Sequence, residues 1–245
     1  MNGTLGLIGS GVVGKALARL AVDTGWNVVL SNSRGPHTLT GLVSTLGERA
    51  RAATPTEAAQ AGDLVVAAIP LHAYDQLPRT HLDGKTVIDA MNYDPKRDGA
   101  FAQLDSDELT SSELVQAHLP QSHVVKMFNN ITDTHLLALA RPSGAPDRSA
   151  LPLTGNDANA KVQAADLLDY LGFDAVDLGA LADSWRFGPN TPLYALSYAG
   201  EPPAGLGGPQ ELYRWFLQAP AVPLPAGQVR QLAATTVRGP AGLVL

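Results

Sequence analysis

The run Gly9-Ser10-Gly11-Val12-Val13-Gly14 constrains this chain more than any other feature, because of what flanks it. The apolar segment Leu5 to Ile8 precedes it, and Val13 to Thr24 follows with Ala16, Leu17, Leu20 and Ala21 at helical spacing before a stop at Gly25. A second apolar run, Val28 to Leu30, completes a strand, glycine loop, helix and strand in the order a dinucleotide-binding unit requires. In such a unit Gly9 allows the tight turn, Gly11 lets the backbone approach a pyrophosphate and Gly14 permits close helix–strand packing. Ser10, Val12 and Val13 carry the loop into a helix N-terminus, whose free N–H groups and positive dipole end favour phosphate.

The alternation continues. Leu64 to Ile69, Thr86 to Ile88, Val124 to Phe128, Leu151 to Thr154 and Phe173 to Leu178 read as buried strands, with Ala50 to Ala53 as a short one. Thr38 to Leu46, Thr56 to Ala61 and Asn156 to Leu171 read as helices between them. This predicts an α/β chain of Rossmann type, a doubly wound and mostly parallel sheet. After Gly179 the texture changes, with eight prolines from Pro189 to Pro225 among several aromatics. A boundary is placed there, between an NADP-binding domain over 1–179 and a smaller Pro- and aromatic-rich segment over 180–245. That segment is expected to cover a second-substrate pocket and to form a homodimer interface.

Composition narrows the partners. The 245 residues carry a net charge of −6, which offers no general attraction to nucleic acid or anionic lipid, so phosphate recognition has to be local. With no Cys, disulfides and thiolate catalysis are excluded and any redox chemistry falls to a bound cofactor. No apolar run reaches the roughly 20 residues of a membrane span, and the start enters a strand without a charged leader, so the expected location is cytoplasmic.

The end of the second strand selects the cofactor. An NAD site places a carboxylate there for the ribose 2'-hydroxyl, whereas this chain has Ser31-Asn32-Ser33-Arg34. Arg34 can grip a 2'-phosphate as a planar fork, and the Ser31 and Ser33 hydroxyls and the Asn32 amide can donate to its other oxygens. The expected cofactor is NADP; the plainer alternative is a polar turn leading to the next helix. Three further strand ends matter because ligands of such sheets bind outside the carboxyl ends of the strands. At Ile69-Pro70-Leu71-His72, the residues Ile69, Pro70 and His72 are candidate cofactor contacts. Asn92 and Asn129, at the other two ends, can fix a carboxamide or the second substrate and are the candidate catalytic residues. No Tyr-x-x-x-Lys pair, metal-ligand spacing or Gly-x-Ser-x-Gly elbow occurs, which leaves positioning as the basis of catalysis.

Taken with Asp89-Ala90-Met91-Asn92, Val124 to Asn130 and the segment Leu171 to Gly179, the glycine loop and the Asn-Ser-Arg turn resemble the F420-dependent NADP oxidoreductase family. They are also similar to the oxidoreductase domain of the six-transmembrane metalloreductases. The resemblance covers most of the first 180 residues and implies hydride transfer between NADP and a deazaflavin, coenzyme F420, or a flavin. The chain departs from that pattern at Asn129, where deazaflavin-using members carry His, and in the tail after Pro203. Two other readings stay open: NADPH-dependent reduction of a small imine or carbonyl compound, and a non-enzymatic NADP-binding redox sensor.

Overall fold

The computed structural model describes residues 3–205 and 208–242. The N-terminal half runs β1 (Thr4–Ile8), α1 (Val12–Asp23), β2 (Asn27–Ser31), α2 (Thr40–Leu46), β3 (Ala50–Ala52), α3 (Pro55–Ala61), β4 (Leu64–Ala67), α4 (Arg79–Leu82) and β5 (Thr86–Asp89). There follow α5 (Pro95–Asp98), α6 (Ala102–Asp105), α7 (Ser111–His118), β6 (His123–Lys126), α8 (Asp133–Leu139), β7 (Ala150–Gly155), α9 (Ala158–Leu171), β8 (Asp174–Asp177), α10 (Pro209–Phe216) and α11 (Ala226–Thr235). Short 3-10 turns at Pro36–Leu39, Leu71–Gln76 and Leu181–Phe187 supplement them.

The eight strands form one sheet in the order β3-β2-β1-β4-β5-β6-β7-β8. All neighbours are parallel except β6 and β7, where Val125 faces Gly155 in an antiparallel pair. The winding reverses between β1 and β4, which opens a crevice at the carboxyl ends of these strands, where the glycine loop lies. The strands β4 and β5 are buried at every position, as strands covered by helices on both faces must be. Helix starts are set locally: Thr54 and Thr110 each form a capping box with the Glu three residues on, and Pro55 occupies the first helical position.

Two strands stop two residues before their expected ends. β4 stops at Ala67 rather than Ile69, because the Ala68 carbonyl turns to abut Gly9 and Pro70 has no N–H to continue a ladder. β6 stops at Lys126, and Phe128 takes a left-handed φ of +65°, which swings Asn129 out of the sheet direction. The described residues beyond 179 build no separate core. Phe187, Leu193, Tyr198, Leu224 and Val229 join the cluster formed by β1, β7, α1 and α9, and α11 packs on β7 and β8.

Candidate functional site

At the crevice a groove of about 470 Å3 is lined by Ser10, Gly11, Asn32, Ser33, Arg34, Ile69, Pro70 and His72, together with Pro55 and Gln76. The three loop glycines have different reasons to be glycine. Gly9 has φ +111°, and a Cβ there would lie 2.2 Å from the Ala68 carbonyl oxygen. A Cβ on Gly14 would lie 2.1 Å from the Gly9 carbonyl oxygen. Both are required by the fold. Gly11 is not: its φ is −68°, and a Cβ there would meet no atom of the protein within 4 Å. Gly11 is the N-cap of α1 and no side chain caps that end, so the first-turn N–H groups, those of Val12 and Val13 among them, are left for an anion.

The 2'-phosphate candidates separate on inspection. Ser31 is corrected: it is fully buried and its hydroxyl donates to the Leu7 carbonyl at 2.9 Å, locking β2 to β1, so it cannot donate to a ligand. Asn32 shapes the turn, its Oδ1 accepting from the Arg34 N–H at 2.9 Å and its Nδ2 donating to Thr38 Oγ1 at 2.9 Å. Ser33 and Arg34 are exposed at the groove.

At the ends of β5 and β6 the two asparagines are paired. Asn129 Nδ2 donates to Asn92 Oδ1 at 3.2 Å and to the Phe187 carbonyl at 3.1 Å, while Asn92 Nδ2 donates to the Asn129 carbonyl at 2.7 Å. Asn129 is only 5% exposed, so it stands behind Asn92 and orients it. Its Oδ1 is buried with no partner among the described residues, an acceptor held in reserve.

Beneath them lies a pair that sequence reasoning missed. Lys126 Nζ reaches Asp89 Oδ2 at 3.2 Å and donates to the Met91 carbonyl; Ser112 Oγ donates to Asp89 Oδ2 at 2.7 Å and the Met91 N–H to Oδ1 at 2.9 Å. Burial pulls the Lys126 ammonium below the usual lysine range, and Asp89 pulls it back up. A cavity of about 70 Å3, lined by Asn92, Lys126, Trp185, Thr191 and Arg238 among others, adjoins this pair. The C-terminal stretch closes it: Arg238 pairs with Asp107 at 3.1 Å and lies over the Trp185 ring, and Asn190 donates to the Gly242 carbonyl.

His72 lines the groove, and its Nδ1 is 2.9 Å from Asp98 Oδ1. The Asp98 side chain is fully buried and also accepts from Arg97 Nε and Nη2 at 2.8 and 2.7 Å and from the Asp94 N–H at 2.9 Å. Arg97 in turn donates to the Asn92 carbonyl at 2.7 Å, tying the groove to the second pocket. Burial pushes the Asp98 carboxyl up, but the bonds from Arg97, Asp94 and His72 outweigh it and hold it down to about 2. A depressed carboxylate stabilises the fold above its unfolded pKa. Its contribution is therefore expected to be complete above about pH 5 and to disappear as pH falls through about 2. Acid denaturation followed by circular dichroism checks this; an Asp98→Asn variant with the same acid limb as the unaltered chain would refute it.

Nothing in Asp98's sequence context marked it, since Lys96-Arg97-Asp98 has the composition of a solvated turn. Among the described residues no cluster of His, Asp or Glu fits a metal, and no helix is long and apolar enough to cross a membrane.

Comparison with known proteins places these features. Residues 4–93 match the family described as NADP oxidoreductase, coenzyme F420-dependent. A hypothetical protein from Sinorhizobium meliloti is 31% identical with a TM-score of 0.69, over 80% of this chain and 94% of that one. A candidate F420-dependent NADP reductase from Arthrobacter sp. FB24 is 25% identical with a TM-score of 0.63, over 75% and 87% of the two chains. An imine reductase variant from Myxococcus stipitatus, solved with NAD+, shares the fold at 21% identity and a TM-score of 0.52, over 74% of this chain and 56% of that one. No curated protein matches the chain.

Proposed function

We propose, from the premise that the chain belongs to the coenzyme F420-dependent NADP oxidoreductase family, that it is an NADP-dependent oxidoreductase passing hydride between NADP(H) and a deazaflavin or flavin. The observation that carries the cofactor half is Gly11. It stands at the N-terminus of α1 with ordinary φ and open space where a side chain would stand, so its lack of a side chain leaves the first-turn N–H groups open to a phosphate. The N-terminus of α1 would hold the pyrophosphate, and Arg34 with Ser33 the 2'-phosphate, in a groove whose lining includes no carboxylate.

Bound NADPH supplies a hydride from the nicotinamide C4, leaving NADP+ while the acceptor takes up the hydride and a proton. The chain's own part is to position. Pro70 walls the groove at the end of β4, and Asn92, held by Asn129 and by the Arg97 bond to its carbonyl, presents its amide at the end of β5. Trp185 and the stretch 238–242 line the adjoining cavity. The second reading, reduction of a small imine or carbonyl compound, would place that compound in the cavity beside Asn92 and Lys126.

Arg34→Ala is expected to weaken NADPH by roughly 1.5 to 3 kcal/mol, the worth of a hydrogen bond to a charged group, and to leave NADH unchanged. Calorimetric titration with both cofactors checks it, and equal losses would remove the 2'-phosphate assignment. Screening F420, FMN, FAD and small cyclic imines for NADPH oxidation then separates the acceptors. Turnover with imines alone would replace the deazaflavin reading by the second.

A further inference from the structure

The groove has a charge deficit. The ligand proposed for it carries a pyrophosphate and a 2'-phosphomonoester, the latter alone about −1.5 to −2. Against these the lining offers, among the described residues, one permanent cation, Arg34, and one histidine, His72. His72 is built to take up a proton. Its ring is 47% exposed on the groove side, while Nδ1 faces a carboxylate that is 0% exposed and ionised at any neutral pH. The proton between them therefore sits on Nδ1, and Nε2 is the nitrogen left to take a proton from solvent.

We infer that His72 is the second cation of this groove: a ligand phosphate draws a proton onto Nε2, forming an Nε2–H···O–P bond, and Asp98 at Nδ1 holds the imidazolium in place. The inference rests on the NADP reading, and to the contact expected of His72 from the sequence it adds a proton uptake and a positioning role for Asp98. The charged groups of the neighbouring elements include the exposed Lys96 side chain of α5. The elements packed on the 71–76 turn are α5 and α7. On α5 and its N-cap, the Asp94 carboxylate accepts from the Lys96 N–H, and Arg97 is bound to Asp98 and to the Asn92 carbonyl. On α7, Glu113 is committed to the Thr110 capping box and His118 lies edge-on to Tyr74. Asp75 is on the turn itself. Of these groups, Asp98 is the one bonded to His72. Asp98 is thus a positioning residue and His72 the contact.

The test is calorimetric titration of NADPH into the intact chain, His72→Gln and Asp98→Asn, at about pH 6.5 and about pH 8.5, each in two buffers of different ionisation enthalpy. His72 is half-exposed, so His72→Gln leaves the core untouched. It is expected to bind about tenfold more weakly at the lower pH, with the gap closing at the higher. The intact chain should also take up more protons on binding than the variant; the 2'-phosphate titrates alike in both, so the difference belongs to His72. Asp98→Asn should lose that uptake although the imidazole remains. Equal affinity and equal proton uptake in His72→Gln and the intact chain would overturn the inference while leaving the cofactor reading standing. Wild-type proton uptake in Asp98→Asn would overturn the positioning role. Failure of the intact chain to bind NADPH would remove both readings together.

Discussion

Gly11→Val is expected to cut NADPH affinity by at least about a hundredfold, or roughly 2.7 kcal/mol, while leaving the thermal midpoint within a degree or two of the unaltered chain. The two halves of this result come from one fact. The Cβ at Gly11 projects into space that no protein atom occupies within 4 Å, so attaching a side chain there forces no displacement of backbone. It does fill the approach to the N-terminus of α1, where the free N–H groups would meet the pyrophosphate. Gly14→Ala is the control with the opposite signature, because its Cβ would sit 2.1 Å from the Gly9 carbonyl oxygen and must displace backbone. Differential scanning calorimetry with and without NADPH distinguishes the two. A folded Gly11→Val protein that keeps its NADPH affinity would show that the cofactor does not bind at this loop.

Lys126→Ala is expected to lower stability by about 3 to 5 kcal/mol, the cost of stranding one member of a buried ion pair. The Asp89 carboxylate would keep the Ser112 hydroxyl and the Met91 N–H but lose its counter-charge while fully buried. The Met91 carbonyl would lose its Lys126 donor as well. Removing both charges, in Lys126→Met with Asp89→Asn, is expected to restore much of the loss, since the desolvation of two ions disappears with their attraction. Urea denaturation of the single and double variants measures the coupling. A loss below about 1 kcal/mol in Lys126→Ala would mean that solvent enters and the pair behaves as a surface one.

The groove was legible because its parts are local in sequence. Strand, turn and helix of the first unit lie within one span, which also holds the Gly14–Gly9 contact, although the close approach at Gly9 comes from the distant Ala68 carbonyl. Ser31 shows where that reasoning fails. Its polarity suggested a phosphate donor, but side chains of a strand alternate between faces, and the β1–β2 register put this hydroxyl against the Leu7 carbonyl instead. Asp98 and Arg238 had no local signature, and Lys126 stood in the Val124 to Asn130 stretch that carries the family resemblance without any role assigned to it. Each gained its role by meeting a residue far along the chain, His72, Asp107 and Asp89 respectively.

The antiparallel direction of β7 was equally out of reach, because a buried apolar run looks the same read either way and only the path of the connection orients it. The sequence by itself determined the alternation of strands and helices, the phosphate loop and the Asn-Ser-Arg turn, since these rest on side-chain periodicity and backbone conformation within a few residues. Tertiary structure alone decided that Asn129 backs Asn92, that the residues beyond 179 join the sheet's own core, and that a buried carboxylate holds the groove histidine. Those outcomes depend on which distant groups packing brings together and which polar atoms it must then satisfy, and no window of the chain contains both partners.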